Sequence, residues 1–307
     1  MGSSDEERFR LLRCERCGSA RTVEASGSGI DPPVVSSDLY EGGYYSRPPA
    51  WLDRLIEPFR RIADRGRLER IGGTRPGERV LEYGAGDGRL LELLAARGAE
   101  VAGVEPSASA RERAAERGVA LTPDLDGMST TTDRFDRIIC WHVLEHLEEP
   151  AAQMKRLAEL MGPGGRVIVS VPNLSSWQAR LGGDYWFAQD VPRHLTHFTP
   201  AGIRSLSEQA GLSVESMHTW SLEQNPFGMW QTLTSRASGS RDVIFRMIKR
   251  QPLGDTAGTR VASILGLLLA LPLLLFAVPL EWLASAVGRG GTITVILLLK
   301  STGGEPS

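Results

Sequence analysis

Arg79–Leu90 reads RVLEYGAGDGRL, in which a short apolar run leads directly into three glycines at alternate positions. The apolar run predicts a buried strand, and an amphipathic helix is expected to start at Arg89. Glycines at such a turn permit positive φ angles and let a ligand approach the backbone, while the helix N-terminus offers N–H groups. The sequence therefore predicts a binding site for a polar ligand at this turn.

The same alternation of short apolar runs and helical patterns continues toward the C-terminus. Strand-like runs lie at residues 100–105, 136–141 and 165–172, separated by helical patterns of about ten residues. Strands that are apolar on both faces and separated by helices are typical of parallel βαβ units. A helix from Pro200 and further strands at 212–220 and 292–300 complete the pattern, which indicates a doubly wound α/β fold.

The spacing of the glycines separates two kinds of ligand. A dinucleotide site has the pattern G-x-G-x-x-G, whereas this turn reads Glu82-x-Gly84-x-Gly86-x-Gly88. A carboxylate before the loop would repel a pyrophosphate but suits the positively charged sulfonium and amino groups of S-adenosylmethionine (SAM). In this form the sequence resembles the class I SAM-dependent methyltransferases.

Two further segments carry the same resemblance. Phe135–Leu147 is similar to the fourth-strand motif of the type 11, 12 and 23 methyltransferase domains, and Leu160–Gly165 to the turn before their fifth strand. Over roughly residues 40–220 the motifs follow the order of that fold. The resemblance implies an enzyme with a Rossmann-like, mostly parallel sheet of seven strands, of which the last is antiparallel.

The resemblance also implies which residues bind SAM. Glu82 and the three glycines of the loop would line its methionine end, and Glu105, near the end of the next strand, its ribose. Asp124 resembles the acidic residue that binds the adenine amino group, with Leu125 beside it, although Asp126 repeats the residue type. His142 should approach the methyl-bearing side of the cofactor. For Glu145 and His146, helix N-terminal charge and packing is the preferred interpretation.

Acceptor residues are expected in the loop between Pro172 and Thr199, because ligands of open α/β sheets bind beyond the carboxyl ends of the strands. Asp190–Thr199, DVPRHLTHFT, resembles a segment of the type 23 family. His194 is the leading candidate for a general base because imidazole titrates near neutral pH, His197 is the alternative, and a structural role is open for both. Residues expected to contact the substrate are Tyr185, Trp186, Asp190 and Arg193, although the last two could simply pair with each other.

The N-terminal residues 1–47 are interpreted as an irregular arm with a short ordered piece at 10–17. Cys14–Gly18 resembles half of a zinc ribbon, but the chain has only three cysteines and no histidine before His142, so no metal site is predicted. We predict a buried Cys140 and, from the lack of an apolar signal core, a cytoplasmic location. A net charge of −2 argues against nucleic-acid binding.

An apolar insertion interrupts the domain pattern. Val261–Leu280 contains no charged residue, and it lies between two predicted strands of one sheet, so the chain should enter and leave a membrane on the same side. Pro272 is expected to divide it into two arms, each too short to cross a bilayer, which predicts a re-entrant or in-plane helical hairpin. Basic residues before it could meet anionic lipids, namely Arg236, Arg241, Arg246, Lys249 and Arg250. A buried or dimer-forming helical pair is the alternative.

The predicted organisation is therefore an arm (1–47), a SAM-binding core (48–220) that opens with an amphipathic helix containing Pro58, a membrane-associating insertion (221–290), and a final strand with tail (291–307). The predicted function is O-methylation of a lipophilic or lipid-linked acceptor by a peripheral or monotopic enzyme on the cytoplasmic side of the membrane. Alternatives are a small-molecule or sugar methyltransferase tethered to the membrane and a non-catalytic SAM-binding scaffold. The oligomeric state stays open.

Overall fold

The computed structural model describes residues 8–25, 33, 50–249, 251–253 and 256–300. They form two compact units, which we call the sheet unit (73–171, 201–217 and 294–307) and the helical unit (1–72, 172–200 and 218–293). The strands are β1 (Phe9–Arg13), β2 (Ala20–Glu24), β3 (Arg79–Tyr83), β4 (Glu100–Val104), β5 (Phe135–Trp141), β6 (Met161–Pro172), β7 (Thr196–His197), β8 (Leu212–His218) and β9 (Thr292–Leu299).

The helices are named in the same way, in chain order. They are α1 (Ala50–Arg70), α2 (Arg89–Ala95), α3 (Ala108–Glu116), α4 (Pro150–Glu159), α5 (Trp177–Gly182), α6 (Pro200–Gln209), α7 (Asn225–Ser238), α8 (Val243–Ile248) and α9 (Ala257–Ala286). Short 3₁₀ turns lie at Leu144–His146, Gly183–Tyr185 and Phe187–Gln189.

The main sheet has the strand order β4-β3-β5-β6-β9-β8. β3 pairs in parallel with β4 and β5, and β5 in parallel with β6. Contacts between Ser170 and Thr294 and between Asn173 and Gly291 run in opposite senses along β6 and β9, so β9 is antiparallel. The predicted doubly wound sheet with an antiparallel last strand is confirmed. Beside β4, the expected further strand is reduced to a parallel bridge between Val104 and Thr122.

The central strands are apolar on both faces because helices follow and precede each of them. Val80, Leu81, Ile138, Ile139 and Val169 are completely buried in these strands. The predicted buried Cys140 is also 0 % exposed, in the middle of β5. Burial on both faces explains why these segments read as continuous apolar runs instead of alternating ones.

The N-terminal segment is more ordered than the predicted irregular arm. β1 and β2 form an antiparallel hairpin in which Phe9 lies opposite Glu24, and β2 continues the pairing to β7. The hairpin belongs to the helical unit, together with β7. Most of the predicted arm beyond residue 25 lies outside the described residues.

The apolar insertion also differs from its prediction. α9 runs without a break from Ala257 to Ala286 and contains both Pro272 and Pro279, so the predicted hairpin at Pro272 is wrong. A proline inside a helix removes one backbone hydrogen bond and destabilises the helix. α9 stays continuous because tertiary contacts hold the parts before and after Pro272. α9 packs instead against α7, with Asn225 bonded to Glu281 and Ser240, just beyond α7, bonded to Ser263. The two helices are therefore antiparallel.

Candidate active site

The glycine loop after β3 has the backbone conformation that its sequence predicts. Gly84, Gly86 and Gly88 have φ angles of 79°, 56° and 73°. A Cβ on Gly84 would lie 2.3 Å from Val143 Cγ2, whereas a Cβ on Gly86 would meet nothing within 4 Å. Gly84 is therefore required for packing, and the open side at Gly86 is where a ligand can approach the backbone.

Glu105 is fixed against this loop. Its carboxylate is buried, with Oε2 accepting the Gly86 N–H at 2.9 Å and Oε1 accepting the Ser107 N–H at 2.9 Å. A carboxylate offers about four acceptor positions, so two remain for other donors. These remaining acceptors are compatible with the two hydroxyl groups of a ribose, and the role of Glu105 in binding it stays a prediction.

Negative charge is concentrated around the loop in the sheet unit. Glu82 and Glu145 are 3 % and 1 % exposed, and Glu105 is 4 % exposed. Burial, together with the charges of Glu145 and Glu82, raises the pKa of the Cys140 thiol well above its ordinary value. This field favours a cationic ligand and opposes a pyrophosphate, which agrees with the ligand class predicted from the sequence.

The two acidic candidates for the adenine end differ in their partners. Asp126 accepts a hydrogen bond from Arg156 at 3.1 Å, and its backbone N–H donates to Asp124 Oδ1 at 2.8 Å. Leu125, between them, is buried and the two carboxylates are exposed. The ion pair of Asp126 leaves Asp124 as the better candidate for binding an adenine amino group.

His142 has an unusual backbone conformation directly after β5. Its φ is 55°, a left-handed value that is uncommon for a residue with a side chain and that often marks functional sites. Nδ1 lies 3.2 Å from Glu145 Oε1, which places the proton on Nδ1 and the lone pair on Nε2. Nε2 is buried without a hydrogen-bond partner among the described residues. A ligand donor would satisfy that nitrogen.

The acceptor segment belongs to the helical unit. Arg193 donates two hydrogen bonds to Asp190 Oδ1, at 3.0 and 2.6 Å, so these two residues pair with each other. His194 Nδ1 lies 2.8 Å from the carbonyl oxygen of Ala188 and must donate to it. The lone pair of a neutral His194 is therefore on Nε2, 3.8 Å from Asp190 Oδ2. This tautomer is the one that a general base needs.

His197 is held differently. Thr22 on β2 donates its hydroxyl hydrogen to the carbonyl oxygen of His194 at 2.6 Å. The same hydroxyl oxygen lies 3.0 Å from His197 Nε2 and can only accept there, so Nε2 carries the proton. His197 is 2 % exposed, and its Nε2 proton is held by Thr22, so we assign His197 a structural role. His194 is therefore the stronger base candidate.

The two aromatic residues predicted to contact the substrate, Trp186 and Tyr185, lie in different environments. Trp186 is 4 % exposed and packs with Ala20 and Leu174 in a small apolar core, so its predicted contact with substrate is not supported. Tyr185 is half-buried, with the Arg241 guanidinium 5.9 Å from its ring centre. Of the pair, Tyr185 remains available to a substrate.

Comparison with known proteins identifies the family. Residues 54–217 match the family model described as a methyltransferase domain. The chain belongs to the class I SAM-dependent methyltransferases. The predicted enzyme class and cofactor are thereby confirmed, whereas the individual cofactor contacts remain predictions.

Relatives of this methyltransferase include two named as ubiquinone biosynthesis O-methyltransferases. The protein from Aeromonas salmonicida is 36 % identical over 155 residues, which are 46 % of this chain and 65 % of the relative, just under two thirds of its length. The protein from Alkalilimnicola ehrlichii is 32 % identical over 184 residues, which are 55 % of this chain and 72 % of the relative.

Solved methyltransferases also resemble the chain at lower identity. A SAM-dependent methyltransferase from Mesorhizobium loti is 15 % identical with a TM-score of 0.46, covering 76 % of this chain and 97 % of that one. Magnesium protoporphyrin IX methyltransferase from Synechocystis is 23 % identical with a TM-score of 0.43, covering 59 % and 85 %.

Two residues of this methyltransferase were not among the predicted functional set. Glu145 orients His142 through the i, i+3 contact of a 3₁₀ turn, and Thr22 connects both histidines of the acceptor segment. Glu145 and His142 are only three residues apart, so the motif that contains both could have indicated their contact. Thr22 is 172 residues from His194, and nothing in the sequence pairs them.

Proposed function

We propose that this methyltransferase transfers a methyl group from SAM to an oxygen atom of a lipophilic, quinone-type acceptor at a membrane surface. The observation that carries the proposal is the 32–36 % identity to ubiquinone biosynthesis O-methyltransferases. The exposed apolar surface of α9 supports the lipophilic class of acceptor.

The chemistry requires an acceptor oxygen that loses its proton as it attacks. SAM, when bound, supplies a methyl group on a positively charged sulfur. His194 is the residue we assign to take the proton, because its Nδ1–H is committed to Ala188 and its Nε2 is the basic nitrogen. Asp190, near that nitrogen, would stabilise the imidazolium. No metal ion is needed in this scheme.

α9 supports the membrane part of the proposal. One stripe of small residues with Glu281 is buried, whereas Leu268, Leu271, Leu275 and Phe276 are 66–73 % exposed. The exposed face of a helix on a water-soluble protein is normally polar, whereas the exposed face of α9 is apolar. α9 is the one helix among the described residues that is long and apolar enough to cross a membrane.

An in-plane position fits α9 better than a span. Its buried stripe extends from Ser263 to Ala284, so protein covers one side along most of the helix. The opposite, apolar side can enter the acyl region while the protein stays on one surface. We assign the contact with anionic head groups to the basic residues at and after α7, namely Arg236, Arg241, Arg246 and Lys249; Arg250 lies outside the described residues. We therefore propose a peripheral or monotopic protein on the cytoplasmic side.

The test is methyl transfer by the purified full-length chain to a membrane lipid extract, with radiolabelled SAM. We expect label in the organic phase, loss of at least about 100-fold in rate for His194→Ala, and little change for the exposed control His218→Ala. Label in the aqueous phase would indicate a tethered small-molecule enzyme. SAM binding without any transfer would indicate a scaffold, and an active His194→Ala would remove this base from the mechanism.

Membrane binding has its own test. We expect the double variant Leu271→Glu/Leu275→Glu to lose sedimentation with vesicles that contain phosphatidylglycerol, because each charge would have to enter the acyl region. Leu12→Glu, at an exposed leucine on β1, is the matched control and should sediment like the wild type. Wild-type protein that stays monomeric in the supernatant without detergent would contradict membrane association.

A further inference from the structure

Four aromatic side chains meet within the helical unit, and we call them the aromatic cluster: Phe187, Phe227, Trp230 and Phe245. The ring centre of Phe187 lies 5.4 Å from that of Phe227 and 5.7 Å from that of Phe245, and Phe227 lies 6.2 Å from Trp230. These are ordinary distances for aromatic pairs. All four rings are half-buried, so the cluster presents apolar surface to its surroundings.

One end of the aromatic cluster is attached to the acceptor segment. Phe187 begins the 3₁₀ turn that also contains Ala188, and the Ala188 carbonyl oxygen accepts the hydrogen bond that orients His194. The backbone N–H of Phe187 donates to Thr232 Oγ1 on α7 at 3.2 Å. Phe187, a member of the aromatic cluster, is thus next in sequence to Ala188, whose carbonyl oxygen orients His194.

The other end reaches the apolar helix. Trp230 Nε1 donates to the carbonyl oxygen of Ala270 on α9 at 2.6 Å, and Ala270 lies in the buried stripe of that helix. Leu268 and Leu271, on either side of Ala270 in sequence, are 71 % and 72 % exposed. The rings therefore contact α9 at its buried stripe, and through Phe187 they are attached to the acceptor segment.

A charged group also lies at the rings, where Lys249 Nζ is 6.0 Å from the ring centre of Phe245. Arg193 is paired with Asp190, and Arg241 lies over Tyr185, so charge is placed at the acceptor loop. A ligand with a polar ring and a long apolar chain would match both parts. We propose that the aromatic cluster binds the hydrocarbon chain of the acceptor, which rests on the proposed function and extends it to a chain-binding site.

The test compares two acceptors that share one phenolic ring, one with a prenyl chain of several isoprene units and one without a chain. For Phe187→Ala and Phe245→Ala, we expect KM for the chain-bearing acceptor in detergent micelles to rise about tenfold, because each variant removes the buried area of one ring. The KM and kcat for the chainless acceptor should stay within about twofold. Phe59→Ala, at an exposed phenylalanine on α1, is the control and should change neither.

Each outcome decides the proposal. An equal change for both acceptors, or no change for either, would overturn the chain-binding site. Where Phe187→Ala or Phe245→Ala loses its thermal transition, Phe245→Leu keeps most of the volume and should still raise KM for the chain-bearing acceptor selectively. Failure of the wild type to methylate either phenol would instead reject the proposed function, and the two failures are therefore distinct.

Discussion

Thr22 bonds to two groups of the acceptor segment through one hydroxyl group. Its hydroxyl group donates to the His194 carbonyl oxygen and accepts from His197 Nε2. In Thr22→Val, both groups would stay buried without this partner, at a cost of about 1–3 kcal/mol. We expect kcat to fall about tenfold with a changed pH profile, whereas Thr22→Ser, which keeps the hydroxyl, should stay within about threefold of the wild type.

The measurement for Thr22 is methyl transfer between pH 6 and 9 together with SAM binding by calorimetry. SAM affinity should be equal in Thr22→Val and in the wild type, because the Thr22 hydroxyl contacts His194 and His197, which are not among the predicted SAM-binding residues. An unchanged kcat and pH profile would show that Thr22 only stabilises the hairpin.

Glu105 allows a matching prediction for the cofactor. Both of its oxygens accept backbone N–H groups, and a glutamine would turn an NH₂ group toward one of those donors. For Glu105→Gln we expect SAM to bind about 10- to 100-fold more weakly, which corresponds to the loss of one or two charged hydrogen bonds. Glu100→Gln, at an exposed position on β4, should bind SAM normally in the same titration. Equal affinity for both variants would exclude Glu105 from the ribose site.

At the scale of elements, the two faces of α9 have different roles: the buried stripe contributes to folding, and the exposed face is the proposed membrane-binding surface. Ala277 is completely buried in the stripe that faces protein, whereas Leu275, two residues earlier, is 73 % exposed. Ala277→Leu overfills the interface, and we expect it to lower the free energy of unfolding by about 1–3 kcal/mol. Leu275→Ala should leave thermal stability nearly unchanged and weaken vesicle binding. The reverse pattern would mean that the exposed face of α9 packs against protein.

α8 carries a titratable group at its N-terminus. Burial, and then the charge of Asp190, raises the pKa of Asp242 from 3.8 to about 6, against the opposing effect of nearby Arg246, Arg241 and Arg193. The folded protein binds this proton more tightly than the unfolded chain, so stability falls as pH rises from about 4 to about 6 and is constant above that range.

Asp242→Asn tests this pH dependence. Asparagine tolerates the left-handed backbone at this position, where φ is 55°, and it does not ionise. We expect the variant to be more stable than the wild type at pH 7.5, on the order of 1 kcal/mol, with the difference shrinking toward pH 4. Thermal melting at both pH values measures it. A difference that does not vary with pH would show that Asp242 keeps an ordinary pKa.

At the scale of the molecule, local sequence was sufficient for the sheet and its glycine loop. Val80–Tyr83 and Ile138–Cys140 are buried strands as predicted, and Glu105 reaches the loop from the next strand. These features depend on patterns within about 30 residues, where periodicity and turn chemistry act directly. The acceptor segment was predicted from its place after the fifth strand and from its resemblance to the type 23 family, and its role stays a prediction.

The apolar insertion shows where local reasoning fails. Pro272 predicts a break when the helix is considered alone, but α9 continues through it because α7 packs along its small-residue stripe. The prediction of an irregular N-terminal arm is wrong for the same reason. β1 and β2 contain no strong strand signal, and they become ordered through pairing with β7, which lies more than 170 residues away.

The sequence by itself determined the family, the cofactor, the alternation of strands and helices in the core and the presence of a long uncharged segment. Only the tertiary structure decided that His194 has its lone pair on Nε2, that Trp186 belongs to a core, and that α9 exposes its large side chains while burying its small ones. The physical reason is that hydrophobic periodicity is encoded in neighbouring residues, whereas tautomers, burial and helix continuity depend on partners that folding brings from distant parts of the chain.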